Sequence, residues 1–308
     1  MKSGFATLVG RPNVGKSTLL NRILGTKVSI TSDKPQTTRT QVRGVLNWRS
    51  ATQADRPDAQ VVFVDTPGIH KPRTLLGERL NDLVRQTLLE VDVVGFCLPA
   101  DQRVGPGDAF IADELAQLRS GRSRPVVAIA TKMDRVERDR LAEHLVAIDR
   151  LGDWDAIVPC SATTGEQVER VRELLGTHLP LSPQLYPDGV LTDEPESVMI
   201  AELVREAALE GVRDELPHSL AVVVEEMVPR PDRPADSPLL DVRVNVFVER
   251  PSQKAIVIGR GGSRLRDVGS TARRGIEALL GQRVYLDLHV KVAKDWQRDP
   301  KQLHRLGF

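Results

Sequence analysis

Residues 10–17 read GRPNVGKS, two glycines set ahead of a lysine and a serine. The apolar run FATLV (5–9) precedes this segment and the helical pattern STLLNRIL (17–24) follows it, so the spacing predicts strand, tight loop and helix. Gly10 and Gly15 permit the turn, and the backbone N–H groups of residues 13–18 can converge on an anion, helped by the helix N-terminus. Lys16 then reaches the outer phosphates of a nucleotide, and the Ser17 hydroxyl is placed to ligate Mg²⁺. A second glycine turn lies in AIVIGRGGSRLRDVGS (255–270). Gly259 and Gly261 begin a dinucleotide fingerprint, but Arg264 stands where a third glycine is needed and no βαβ unit surrounds it, so that reading fails.

Two further stretches choose the base. VDTPG (64–68) ends an apolar run, where Asp65 can hold Mg²⁺ through water and Gly68 can offer its N–H to a γ-phosphate. TKMD (131–134) closes another. There the Asp134 carboxylate can accept from both N1–H and the N2 amino group of guanine, a pairing that adenine cannot offer. CSA (160–162) ends the next run and brings the Ser161 and Ala162 backbone to the guanine O6. The ligands expected are GTP or GDP with Mg²⁺. A small-molecule kinase, the other use of such a loop, has no need of a guanine clamp.

The order P-loop, QTTR (36–39), DTPG, TKMD, SA and C-terminal glycine turn resembles the Era family of small GTPases over nearly the whole chain. The resemblance implies GTP hydrolysis and extends the nucleotide-binding set to Arg11, Pro12, Asn13, Val14, Thr18, Thr66, Pro67, Ile69, Lys132 and Met133. It makes SITSDKPQTTRTQ (29–41) and GIHKPRTLLGE (68–78) the two switch segments, ordered by the γ-phosphate. Thr37 or Thr38 closes over γ-phosphate and Mg²⁺, the sequence not deciding which; with Lys16 and Gly68 they form the expected catalytic set. His70 reads as a surface residue. Thr131 stands where the family has Asn, and one hydroxyl cannot bridge base and P-loop as an amide does, so weaker guanine affinity is expected. Ile69 stands where Ras-type proteins carry a water-orienting Gln, so slow intrinsic hydrolysis is expected. Asn13 matches the P-loop Asn of potassium-stimulated GTPases, which implies stimulation by K⁺.

The second turn, Ile258-Gly259-Arg260-Gly261-Gly262, fits I-G-x-x-G between two helices and resembles a KH domain of the prokaryotic type. In KH domains this turn clamps the backbone of about four single-stranded nucleotides. Arg260, Arg264 and Arg266 flank it, with Arg273 and Arg274 further along the same helix. Ile256 and Ile258 read as core, with the floor of a base groove as the alternative. Charge agrees: Leu239–Phe308 holds 14 of the 43 Lys and Arg but 7 of the 42 Asp and Glu, leaving 29 and 35 for the rest. A basic tail segment on a mildly acidic body suits a polyanion partner. The resemblance implies the 3′ end of small-subunit ribosomal RNA, a role in assembly of the small ribosomal subunit, a monomer, and a loose peripheral association with the inner face of the cell membrane. The alternative is a GTPase signalling module whose C-terminal domain binds protein.

The elements that must carry these residues follow from periodicity. Runs at 5–9, 61–65, 91–98, 125–131 and 156–161 are of the buried, parallel-sheet kind and alternate with amphipathic stretches such as 74–91 and 138–152. They predict a doubly wound α/β domain over 1–178, with a hairpin loop at 47–60. Four prolines in 179–195 mark a linker. Residues 196–308 predict a smaller α+β unit: helix (196–211), strands (219–228, 239–250), a short helix into the glycine turn, helix (263–280) and strand (283–293). Cys97 and Cys160 make no disulfide framework, MKSGFATLVG shows no signal-peptide pattern, and no stretch approaches the ~20 apolar residues of a membrane span. A cytoplasmic protein is the expectation.

Overall fold

The computed structural model describes residues 1–32, 38, 39, 41–48, 59–69, 72, 74–119, 124–212, 216–231, 233, 234 and 238–308. Two compact units meet in sequence between Asp193 and Glu194. The first is built from β1 (Lys2–Val9), α1 (Lys16–Leu24), β2 (Val42–Trp48), β3 (Ala59–Asp65), α2 (Leu75–Glu90), β4 (Val93–Pro99), α3 (Pro106–Arg119), β5 (Val126–Thr131), α4 (Arg138–Asp149), β6 (Ala156–Pro159) and α5 (Val168–Thr177). Its sheet has the order β2-β3-β1-β4-β5-β6, parallel except for β2. Every residue of β3, β4 and β5 is buried, which is why these strands read as continuous apolar runs without alternation. The strand order reverses around β1, and in such sheets ligands bind outside the carboxyl ends at the reversal. The P-loop follows β1, Asp65 ends β3, Thr131 ends β5 and Ser161 follows β6, so these nucleotide candidates lie at that rim.

The predicted hairpin lies where expected: β2 and β3 pair antiparallel from Val42↔Asp65 to Trp48↔Ala59, and residues 49–58 lie outside the described set. β2 itself escaped the sequence reading, because VRGVLNW mixes polar and apolar residues without clean alternation.

The second unit comprises α6 (Glu196–Leu209), α7 (Leu216–Ser219), β7 (Ala221–Pro229), β8 (Leu239–Val248), α8 (Pro251–Ile258), α9 (Ser263–Leu280), β9 (Arg283–Val292) and α10 (Pro300–Arg305). Its sheet runs β7-β8-β9, with β7 antiparallel and β9 parallel to β8, so β9 is an edge strand. In α9, Val268, Ala272 and Ile276 recur four apart and bury one face against a core that includes Val204, Val244, Val246 and Val257.

The Pro-rich stretch between the units is fastened to the first. Gln60, 0% exposed, accepts from the Leu185 and Tyr186 N–H groups (2.8 and 2.9 Å) and donates to Asn47 Oδ1 and the Tyr186 carbonyl (2.8 Å each). Val45 N–H donates to the Leu191 carbonyl (2.8 Å), and Arg43 pairs with Asp193 (3.2 Å). The stretch expected as a linker thus forms a strap along the β2–β3 pair. Each buried polar group left without a partner costs about 1–3 kcal/mol. Gln60→Leu orphans two donors and two acceptors, and it should lower unfolding stability by ~3 kcal/mol, read as a drop in the urea midpoint. A midpoint within error of the parent would show that the strap is not held at Gln60.

Candidate functional site

Between β1 and α1 the loop takes the left-handed conformation at Asn13 (φ 64°) and Gly15 (φ 100°). A Cβ on Gly15 would meet nothing within 4 Å, so the crest is open towards the rim. Lys16 is buried beneath it, its Nζ donating to the carbonyls of Gly10 (3.1 Å) and Arg11 (3.0 Å). The Arg11 side chain braces the loop instead of facing it: Nε donates to buried Asp108 (2.7 Å) and Nη2 to Gln102 (3.1 Å). Thr18 is exposed and Val14 buried.

Asp65 is the centre of the rim. Its Oδ2 accepts from Ser29 Oγ (2.5 Å), Thr38 Oγ1 (3.2 Å) and Ser17 Oγ (3.3 Å), and its Oδ1 from the Thr66 N–H (3.0 Å). Ser17 and Thr38 oxygens lie 3.2 Å apart. Adjacent ligands of an octahedral Mg²⁺ at 2.0–2.1 Å stand about 3 Å apart, so the two hydroxyls with Asp65 behind them fit that ion. Thr37 and His70 lie outside the described residues; the geometry joins Thr38 to Ser17 and Asp65. No group of three His, Cys, Asp or Glu that could hold a metal occurs among the described residues, and this site is of another kind, two hydroxyls and one carboxylate. Burial lowers the Lys16 pKa below the ordinary lysine value, with Cys97 and Asp65 opposing. Burial likewise raises that of Asp65, against the hydroxyl donors and Lys16. Both groups are thus short of charge compensation, which a polyphosphate and a divalent cation supply.

Thr66 donates its hydroxyl to the Leu8 carbonyl (3.3 Å), and Pro67 is buried. A Cβ on Gly68 would stand 2.8 Å from the Pro12 nitrogen, so only glycine lets DTPG lie against the P-loop. The Ile69 side chain turns into the apolar core with Val9, Val64 and Val84, and offers the site only its backbone.

At the base-reading end, Lys132 is left-handed (φ 58°) and its ammonium lies 3.6 Å from Asp101. The Met133 N–H donates to the Cys160 carbonyl (3.2 Å), joining TKMD to CSA, and Asp134 is exposed. Ser161 Oγ accepts from the Thr164 N–H (3.1 Å), folding its loop, with Ala162 half-buried at the rim. Burial pushes the Cys160 thiol up to about 12 and removes it from chemistry at neutral pH. Thr131, expected to lose the Asn bridge, keeps its P-loop half: Oγ1 donates to the Val14 carbonyl at 2.6 Å. The base half is absent from so short a side chain.

In the second unit, Gly259 (φ 73°), Gly261 (φ 58°) and Gly262 (φ 76°) turn the chain from α8 into α9. A Cβ on Gly259 would strike Arg264 Cβ at 2.7 Å, whereas those on Gly261 and Gly262 meet nothing within 4 Å. The first glycine is therefore required by packing and the other two leave an open approach. Gly262 caps α9 with no side-chain hydrogen bond, leaving first-turn N–H groups for an anion. Arg260 and Arg266 are exposed, but Arg264 is not turned outwards: Nη2 donates to the carbonyls of Ala208 (3.2 Å) and Glu210 (2.7 Å) at the end of α6. That corrects its assignment as a flanking ligand. Ile258 packs against the core as expected, and Ile256, 54% exposed, does not.

The turn opens into a groove of about 390 Å³ between α9 and β9, lined by Gly262, Leu265, Arg266, Gly269, Ser270 and Arg273, facing Tyr285, Leu286 and Leu288. The groove escaped the sequence reading. Its one signal is the row Arg266, Gly269, Ser270, Arg273, whose spacing of three and four makes a single helix face of small and basic residues.

Together the rim and the groove define a P-loop GTPase domain joined to a KH domain. The model of the 50S ribosome-binding GTPase family matches residues 5–132, and that of the KH domain matches 215–297. The chain is 64% identical to GTPase Era of Streptomyces coelicolor over all of its own length and 95% of that protein. It is 59% identical to that of Mycobacterium avium, covering 99% of the latter. It belongs to the GTPase Era family and hydrolyses GTP to GDP and phosphate. Among solved structures it is similar to Era in complex with MgGDPNP and nucleotides 1506–1542 of 16S ribosomal RNA (TM-score 0.92, 36% identity, 100% and 99% of the two chains). It is similar also to a single-site variant of Aquifex aeolicus Era bound to GDP·AlF4⁻ (TM-score 0.91, 36% identity, 100% and 99%).

The Thr131 tether carries a consequence for affinity. Thr131→Val leaves the Val14 carbonyl without its donor, an effect of about 1–2 kcal/mol. GDP and GTP affinities should both fall by about tenfold, with the preference for GTP over ITP unchanged, as read by fluorescent-nucleotide titration. Unaltered affinity would show that the tether holds nothing the nucleotide needs.

Proposed function

We propose that this chain is a GTP-gated RNA-binding switch that holds the 3′ end of small-subunit ribosomal RNA during assembly of the small ribosomal subunit. Residues 1–178 are the GTPase module, 179–195 the connecting strap and 196–308 the RNA module. The observation that carries this reading is the open glycine turn running into the α9–β9 groove, in a chain that also brings Ser17, Thr38 and Asp65 together at the P-loop rim. The description of the matching GTPase family speaks of the 50S ribosome, but the full-length relatives are Era, and the Era structure that it resembles holds 16S RNA.

At the rim, Lys16 exchanges the Gly10 and Arg11 carbonyls for the β- and γ-phosphates, and N–H groups of residues 13–18 take the remaining oxygens. Ser17, Thr38 and Asp65 would hold Mg²⁺, which would offset phosphate charge when bound. Gly68 offers its N–H to the γ-phosphate, Asp134 reads guanine, and the Ser161 and Ala162 backbone meets O6. Water attacks in line, and because Ile69 is turned into the core no side chain there orients it, which makes the intrinsic rate slow. Arg260, Arg266 and the Gly261–Gly262 backbone grip RNA phosphates, and Leu265 and Leu286 receive bases.

Asn13, exposed and left-handed at the loop crest, supports K⁺ stimulation. GTP turnover should be several-fold faster in K⁺ than in matched Na⁺ buffer, and equal rates would remove the idea. The reading extends to a cytoplasmic monomer associated loosely with the inner face of the cell membrane; no described helix is long and apolar enough to cross one.

The function is tested by titrating an oligonucleotide matching the 16S 3′ end against protein loaded with GDP or a non-hydrolysable GTP analogue. Markedly tighter binding with the analogue is expected, with a log–log salt slope of about −0.7 per neutralised phosphate. Gly261→Asp, which places a carboxylate in open space, should abolish RNA binding and leave GTP affinity intact. RNA binding that survives this change and ignores salt would overturn the groove assignment in favour of a protein-binding domain.

A further inference from the structure

Ser29 does not belong to the P-loop, to DTPG or to the threonine pair, yet it makes the shortest hydrogen bond to Asp65, 2.5 Å from Oγ to Oδ2. It is 4% exposed. Its backbone is held by one side chain of the helix that follows the P-loop. Asn21 Oδ1 accepts from the Val28 and Ser29 N–H groups (3.0 Å each), while Asn21 Nδ2 donates to the Ser29 carbonyl (2.7 Å). Asn21 is thus used on three sides to present one hydroxyl. Ser17 and Thr38 also reach Oδ2, but these two hydroxyls are the ones placed to share their oxygens with a cation. Among the described residues, the Ser29 hydroxyl donates to the carboxylate. With the Thr66 N–H on Oδ1, it places a donor on each carboxylate oxygen of Asp65.

We infer that Ser29, presented by Asn21, is a positioning residue for Asp65: it holds the carboxylate in the orientation that supports Mg²⁺. The inference rests on the proposed assignment of Ser17, Thr38 and Asp65 to the metal. Partners that orient a carboxylate behind a metal are worth roughly 10–100-fold in metal affinity.

The test uses the full chain loaded with a fluorescent GDP analogue, and follows release of the analogue as Mg²⁺ is varied. Ser29→Ala should raise the Mg²⁺ concentration for half-maximal slowing of release by about tenfold. Affinity for the analogue in excess EDTA, where no metal is bound, should change less than twofold, a separation that a general loosening of the fold would not produce. Asn21→Ala should move the Mg²⁺ midpoint in the same direction, because it acts through Ser29. Should Ser29→Ala fail to fold, Ser29→Cys, nearly the same size and a weaker donor, is read in the same way. An unmoved midpoint in the serine variant, beside a midpoint shifted by Asp65→Asn, overturns the role of Ser29 and leaves the metal assignment standing. If Asp65→Asn itself leaves the midpoint unmoved, the metal assignment fails and the role of Ser29 fails with it.

Discussion

A lysine at the start of α1 and an aspartate at the end of β3, both held out of water, are the constraint on which the first unit is built. Neither charge is favourable there: burial lowers the pKa of Lys16 and raises that of Asp65. The protein keeps both by surrounding them with dipoles. Two P-loop carbonyls accept from the ammonium, and three hydroxyls and one N–H donate to the carboxylate. The second ring of contacts exists to keep those dipoles in place. Arg11 ties the loop to the start of α3, Thr131 ties Val14 to β5, and Gly68 lies against Pro12 because it has no side chain. A polyphosphate with its divalent cation would meet charges that are already desolvated, with Lys16 exchanging two carbonyls for phosphate oxygens.

The second unit handles phosphate by the opposite means. Its glycine turn is open, its anion-facing arginines are exposed, and no buried charge awaits a partner in the groove. A nucleotide is small enough to be enclosed, whereas a single strand must enter sideways, and an enclosed site would exclude it. The cost is weaker electrostatics per contact, because exposed charges are screened by salt. In the proposed RNA-binding reading, the number of phosphates a strand brings and the apolar floor at Leu265, Leu286 and Leu288 offset that.

What could be read from sequence was what depends on neighbours along the chain. The P-loop, DTPG and TKMD are short because strand, turn and ligand contacts are made within a few residues, and buried parallel strands announce themselves as unbroken apolar runs. What stayed hidden depends on partners far away in sequence. Arg264 looks like its neighbours Arg260 and Arg266 until α6 is seen ending beside it. Ile256 reads as core until α8 turns it outwards. Thr131 reads as a plain loss until Val14, 117 residues earlier, is found accepting its proton. Ser29 carries no pattern, because one hydroxyl at the head of a polar segment is ordinary in a list of letters.

The strap shows why such distant contacts matter for a two-part molecule. A free coil between domains absorbs any movement of its ends as entropy and transmits none of it. Residues 185–193 are instead hydrogen-bonded to Gln60, Val45 and Arg43, and β2 begins four residues after Thr38. The segment that carries Thr38 and the segment that leads into α6 are therefore both attached to the β2–β3 pair. A covalently continuous, hydrogen-bonded path of this kind is necessary for one site to sense the other, but it is not sufficient. A ligand moves a two-state element only by the difference between its affinities for the two states, and one that binds both equally moves nothing, however tightly it binds. On the proposed assignments the preference has to come from the ends, from Thr38 at the γ-phosphate and from the RNA strand at the glycine turn.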